Sequence, residues 1–131
     1  MGEPVDPGVV ALAGRVFDLA REGRTEDLAS YLDAGVPANL TNDKGDTLLV
    51  LAAYHGHADT VALLLRHGAD PDRVNDRGQT ALGAAVFRQS ADAVRALLAA
   101  GADPDLGRQS GRATALFFDL PEMAALLPEG P

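Results

Sequence analysis

The sequence has no cysteine, no tryptophan and no isoleucine, and its four Phe and two Tyr make up 5% of the chain. Without thiols, disulfide frameworks and thiolate metal sites are excluded. With so few rings, a core must be assembled from Ala, Leu and Val, which suits closely packed helices better than a β-sandwich. Lysine is nearly absent as well: Lys44 is the one Lys among the 11 basic residues, and the rest are Arg. Together with abundant Ala, Gly, Asp and Pro, this is what GC-rich codons supply, so a bacterial source is expected. Positive charge is the scarcer sign, with 19 acidic side chains giving a net charge of −8. A chain of that sign repels phosphate backbones, so no nucleic-acid partner is expected. No run approaches the roughly 18 apolar residues of a membrane helix. The start, Met1-Gly2-Glu3-Pro4-Val5-Asp6, has neither the basic region of a secretory signal nor the Ser or Thr that myristoylation of Gly2 would want. A cytoplasmic location with no membrane partner is the expectation.

What the chain has is a period. Its 131 residues fit one domain, and within it Gly35, Gly68 and Gly101 are spaced by 33, as are Gly45, Gly78 and Gly111. Thr47 and Thr80 keep the interval, as do Leu49 and Leu82, Ala52 and Ala85, Val61 and Val94, Leu64 and Leu97, and Asp70 and Asp103. Self-similarity at a fixed interval of this length means a solenoid.

The chemistry of one unit follows from its residues. Thr47 and Thr80 are placed to cap a first helix, about Thr47 to His55 in the better-defined copy. Gly56-His57 breaks it, and a second helix, about Ala58 to Arg66, buries Val61, Leu64 and Leu65 at helical spacing. Gly68 suits a left-handed cap, Pro71 forces extended backbone, and Gly45 or Gly78 allows a tight turn at a finger tip. Four units fit, at about 9–41, 42–74, 75–107 and 108–127, within a single domain over 1–131. The first pairs a helix over Val16 to Gly23 with one over Leu28 to Leu32. The last carries one extra residue at Ala113, with helices at Thr114 to Phe118 and Pro121 to Leu127. Both are atypical, as terminal units are. Residues Met1 to about Pro7 and Pro128 to Pro131 read as frayed ends.

This pattern resembles the ankyrin-repeat family. Gly45-Asp46-Thr47-Leu48-Leu49-Val50-Leu51-Ala52-Ala53, Gly56-His57, Val61, Leu64-Leu65 and Gly68-Ala69-Asp70 follow the family signature, and Gly78 to Ala85 with Gly101-Ala102-Asp103 repeats it. The resemblance implies an all-α solenoid of helix-turn-helix units with short hairpin fingers. The family's Pro-Leu-His is replaced by Leu48-Leu49-Val50 and Ala81-Leu82-Gly83, and Gln89-Ser90 stands for Gly-His. With that histidine missing, loosely tied fingers are expected.

Sites for chemistry are sparse. His55 and His57 form a two-ligand pair with no third donor nearby, so no metal is expected. Ser110 in Gly107-Arg108-Gln109-Ser110-Gly111 falls one place late for a nucleophile elbow and reads as a finger-tip turn residue. Asp70-Pro71-Asp72 and Asp103-Pro104-Asp105 lack the ligand spacing of a calcium loop. No phosphate-cradling loop is present, no cofactor is expected, and repeated loops along a ladder do not converge into a catalytic pocket. The expectation is therefore not an enzyme.

The resemblance implies a binding face built from finger tips and the exposed ends of the first helices. Carried onto this sequence, the contact residues are Asp43, Lys44, Asp46, Tyr54 and His55, then Asp76, Arg77, Gln79, Phe87 and Arg88. Gln109, Ser110 and Arg112 follow in the last unit, and Arg21 and Glu22 in the first. Arg73, Arg77, Arg88, Arg108 and Arg112 would form a basic cluster on an acidic chain, fit to steer an acidic partner segment. Tyr54 and Phe87 lie one period apart at positions that packing does not require. The expected function is a non-catalytic, monomeric protein-binding module. Alternatives are an accessory or immunity-type regulator of a neighbouring enzyme or toxin, a self-associating structural element, and, from another class, an enzyme or metal protein.

Overall fold

The structure, a computed structural model, describes residues 7–129. The frayed ends expected at 1–6 and 130–131 lie outside the described residues. The helices are α1 (Pro7–Glu22), α2 (Thr25–Asp33), α3 (Leu48–Tyr54), α4 (Ala58–Arg66), α5 (Ala81–Phe87), α6 (Ala91–Ala99), α7 (Gly111–Phe117) and α8 (Pro121–Leu126). They form four antiparallel pairs stacked in sequence, with α1, α3, α5 and α7 in an inner row and α2, α4, α6 and α8 in an outer row. Among the described residues, β pairing is limited to two isolated bridges, Thr41 with Thr47 and Gln79 with Gln109.

The inner helices are short and apolar because they are covered on nearly every side. Leu48 to Ala53 of α3 and Ala81 to Val86 of α5 are all buried. A helix that is hydrophobic all round belongs inside. Ala52, Ala53 and Ala85 let the axes approach to the roughly 8–10 Å of close helix packing. The outer helices are amphipathic and bury Val61 and Leu64 of α4, or Val94 and Leu97 of α6, against them. Pro7 does not fray but opens α1, where its missing N–H costs nothing. The early turns of α1 project beyond the stack, leaving Val10 and Leu12 exposed.

Caps set the register. The Thr47 hydroxyl accepts from the Val50 N–H at 3.0 Å and the Thr80 hydroxyl from the Gly83 N–H at 3.0 Å, as expected. A third cap was not expected: Ser110 is buried and accepts from the Ala113 N–H at 3.1 Å. It follows Thr80 by 30 residues rather than 33. The last connection is therefore three residues shorter, with no insertion at Ala113, and α7 begins at Gly111 instead of Thr114. Gly111, despite its spacing from Gly78, is helical and packs where a Cβ would press on Leu82.

Each helical pair turns on one residue in the left-handed region: Gly23 at φ +70, Gly56 at +81, Gln89 at +56 and Asp119 at +52. The turn thus survives where the sequence replaces glycine. On the opposite edge the closing loops form a ladder. Asn39 Oδ1 accepts from the Asp70 N–H at 2.7 Å, and one period on, Asp72 Oδ1 accepts from the Asp103 N–H at 2.9 Å. Asp70 and Asp103 accept from the N–H two residues ahead, at Asp72 and Asp105, both at 2.9 Å. The acidic pairs are therefore the stack's own fasteners.

A non-glycine residue in the left-handed region costs about 1–3 kcal/mol, against roughly 0.5–1 kcal/mol of extra chain entropy for glycine. Gln89→Gly should accordingly raise stability by about 0.5–1 kcal/mol in a denaturant titration. A midpoint at or below that of the unmodified protein would show that Gln89 is not strained.

Candidate functional site

The fingers are shaped by two asparagines whose role the sequence did not announce. Asn42 Oδ1 accepts from the N–H groups of Lys44 and Asp46 at 2.9 and 3.0 Å, and Asn75 Oδ1 from those of Arg77 and Gln79 at 3.0 and 2.9 Å. These side chains stand in for backbone and hold the turns at Gly45 and Gly78. Asp43, Lys44, Asp76 and Arg77 are exposed at the tips.

Asp46 does not join them. It is buried, and its carboxylate accepts from Asn75 Nδ2 at 2.7 Å across the gap to the next finger. Further bonds run from the Asp76 N–H to the Lys44 carbonyl at 3.1 Å and from the Gln109 N–H to the Gly78 carbonyl at 3.0 Å. The fingers are thus tied together without the missing histidine, contrary to the loose ties expected. Gly83, at the histidine's place, has its own reason. The Gln109 carbonyl lies over it so closely that a Cβ there would overlap the oxygen.

Tyr54 and Phe87 close α3 and α5 and stack with centroids 6.2 Å apart and planes at 10°. Phe87 meets Phe118 edge-on at 5.2 Å, and Phe118 meets Phe117 at 4.9 Å. Tyr54, Phe87 and Phe118 are 44%, 43% and 48% exposed, and Phe117 is 82% exposed. Four of the chain's rings therefore make one continuous row on the inner-helix side. Sequence reasoning found the first two and missed the others, because the short last connection moves them off the period. The cap at Ser110 was the available signal, since Phe117 lies as far beyond it as Tyr54 beyond Thr47.

Charge flanks this row. Arg88 caps the C-terminal end of α5 and lays its guanidinium over Gly56, while Arg108 lies against Gly78. Arg77, Arg88 and Arg108 are exposed, as is Arg73. His55 sits edge-on to Tyr54 with centroids 5.5 Å apart. Partial burial, and the charges of His57, Arg21 and Arg88, hold its pKa below the ordinary histidine value. His57 Nε2–H donates to the Arg21 carbonyl at 2.7 Å, so that nitrogen serves the stack. Arg21 also pairs with Asp18, and Glu22 is exposed beside it. Arg112 is a correction. It points to the closing-loop edge, where Nε donates to Asp105 at 2.7 Å and a terminal nitrogen to the Pro128 carbonyl at 2.6 Å. Its expected place on the binding face followed from the wrong register. Ser110 and Gln79 differ likewise: the first is buried as a cap, the second half-buried between fingers. Gln109 is exposed on the last finger. Among the described residues, no three His, Asp or Glu side chains gather as a metal site would require.

Two expectations follow for the framework. Gly83→Ala forces the Gln109 carbonyl off α5 and should cost about 1–3 kcal/mol by thermal denaturation. An unchanged Tm would show that the last finger moves freely. His67 donates through Nε2 to Asp33 at 3.0 Å and through Nδ1 to the Leu63 carbonyl at 3.1 Å. Both bonds require the charged ring, so the Asp33 bond first and the Leu63 bond second raise its pKa. A raised folded pKa stabilises below the unfolded value, near 6.5, and the gain is lost as pH climbs through the folded one. The Tm gap between unmodified protein and His67→Ala should therefore be wider at about pH 5.5 than at about pH 8. A gap that is flat with pH would dismiss the pair.

A family model described as ankyrin repeats in three copies matches residues 17–108. An ankyrin repeat protein of Pseudomonas aeruginosa is 59% identical over 46 residues, which cover 35% of this chain and 27% of that one. Its bacterial origin is in keeping with the codon bias. The crystal structure of the human ASB11 ankyrin repeat domain superposes with a TM-score of 0.77 at 28% identity, covering 85% of this chain and 51% of that one. The chain thus spans about a quarter of that curated relative and half of the solved domain. Ankyrin repeats are in general protein–protein interaction modules and are typically non-catalytic. No described helix is long and apolar enough to cross a membrane. By its repeats, its capped inner helices and the extent of the match, the chain belongs to the ankyrin-repeat family.

Proposed function

We propose that this array is a non-catalytic docking module that holds a partner protein against the face formed by its fingers and inner helices. The observation that carries the reading is the aromatic row. Tyr54, Phe87 and Phe118 are each exposed by more than two fifths, although the core is already filled, mainly by Leu, Val and Ala. Leaving rings in water forgoes about 25 cal/mol for each Å² of apolar surface, which a partner recovers on docking. Aromatic anchors beside arginines are the residue types that dominate interface energetics. Arg77, Arg88 and Arg108 flank the row and favour a partner surface with acidic side chains at its rim.

The test is affinity capture from native lysate, with unmodified protein and Tyr54→Ala/Phe87→Ala as parallel baits. A true partner should be retained by the first and weakened by about 2 kcal/mol, roughly 30-fold in Kd, by the second. The Tm of the variant should stay close to that of the unmodified protein. A variant that melts much earlier yet retains the same partner would assign the rings to the core and move the interface elsewhere.

A further inference from the structure

Three hollows follow one another along the aromatic row and share walls. The first, of about 160 Å³, lies between the second and third units and has Tyr54, Gln79 and Arg77 in its lining. Asp46 also borders it, but with its carboxylate tied to Asn75. The middle hollow, of about 140 Å³, is walled by Tyr54, Phe87 and Phe118 and by the Gln79 and Gln109 side chains, with no charged group in its lining. Gly83 borders this hollow, with the Gln109 carbonyl lying where a side chain there would start. The third, of about 340 Å³, is bounded by Gln109, Phe118 and Arg108.

An uncharged hollow walled by three rings therefore sits between two that each present one arginine. Among the described residues, the ion pairs engage Arg21, Arg24, His67, Arg95 and Arg112, so Arg77 and Arg108 keep their charge uncommitted. On a chain of net charge −8, two unpaired cations beside exposed rings select for carboxylates. The hollows succeed one another at the pitch of the stack, on the order of 10 Å. A polyproline-II segment rises about 3.1 Å per residue with three residues per turn, so its every third side chain returns to one face after roughly 9 Å. A β-strand places such residues on opposite faces. Gln79 Oε1 accepts from Asn75 Nδ2 at 2.8 Å, whereas Gln79 Nε2 and Gln109 Nε2 are held only by long bonds of 3.5 Å, to Gln109 Oε1 and to the Arg77 carbonyl. Those long bonds can be exchanged for bonds to the bare N–H and C=O groups that an extended chain presents and a helix does not.

Resting on the docking role above, we infer that this face takes an extended acidic segment of the partner. An apolar side chain enters the middle hollow, and carboxylates three residues to either side meet Arg77 and Arg108. The probe is a random-peptide phage library panned on the immobilised full chain. Enriched sequences should read acidic-x-x-apolar-x-x-acidic. A synthetic winner should lose about 10-fold or more in affinity when its apolar residue becomes Ala, and likewise on Arg77→Glu/Arg108→Glu protein. Arg66→Glu/Arg95→Glu, which makes the same change in net charge away from the face, should bind it within about twofold. Failure to enrich, winners without acidic residues, acidic residues at a helical spacing of seven, or equal binding to both double variants would each overturn the inference. The docking role stands or falls on a separate comparison. A lysate partner lost with Tyr54→Ala/Phe87→Ala but indifferent to Arg77→Glu/Arg108→Glu sinks the acidic segment alone, whereas indifference to both pairs sinks the role as well.

Discussion

Helix α3, with Leu49 and Ala52 buried, packs against both α1 and α5, and no described helical pair buries its apolar face alone. Everything else depends on that close stacking. Side chains between inner helices must be small, which explains the wealth of Ala and the poverty of rings. Only in α1, the inner helix at the end of the row, does a ring, Phe17, lie buried within the helix; α3, α5 and α7 carry theirs, Tyr54, Phe87 and Phe117, at their ends. The scarcity of aromatics and their concentration in one exposed row are two results of one steric condition.

The same stacking sorts charge. Asp70, Asp72, Asp103 and Asp105 serve the closing-loop edge as hydrogen-bond acceptors, and Arg112 is drawn there to meet Asp105. The cations left without acidic partners include Arg77, Arg88 and Arg108, all beside the rings. A chain that is acidic as a whole therefore has a local surface of the opposite sign. Carboxylates that bind backbone N–H groups are not simply solubilising charge, since each holds one unit to the next or closes its own turn.

Much of this was legible. Thr47, Thr80, Gly68 and Gly101 each do in the structure what their chemistry suggests, because caps and left-handed glycines act within a few residues of themselves. The errors arose where the answer lay in another unit. Asp46 reads as an exposed finger charge until Asn75, 29 positions away, is seen to bond it. Gly111 continues the glycine period by coincidence, concealing a shortened loop and carrying Arg112 to the wrong side. A period is evidence only while every connection keeps its length. The hydroxyl of Ser110, a local feature, was the better guide.

The ladder of closing-loop bonds changes character at its last rung. Asn39 and Asp72 accept from main-chain N–H groups, whereas Asp105 is met by the Arg112 side chain, with both partners part-exposed. That rung weakens with ionic strength, and in a one-dimensional stack the terminal unit opens independently of the middle. The contact of Phe87 with Phe118 crosses this same junction. A ligand lying over both rings is then also a clasp on the end of the array. Part of its affinity is spent on closing that end, so salt that frees the terminal pair loosens the ligand indirectly, in addition to screening its contacts with Arg77 and Arg108.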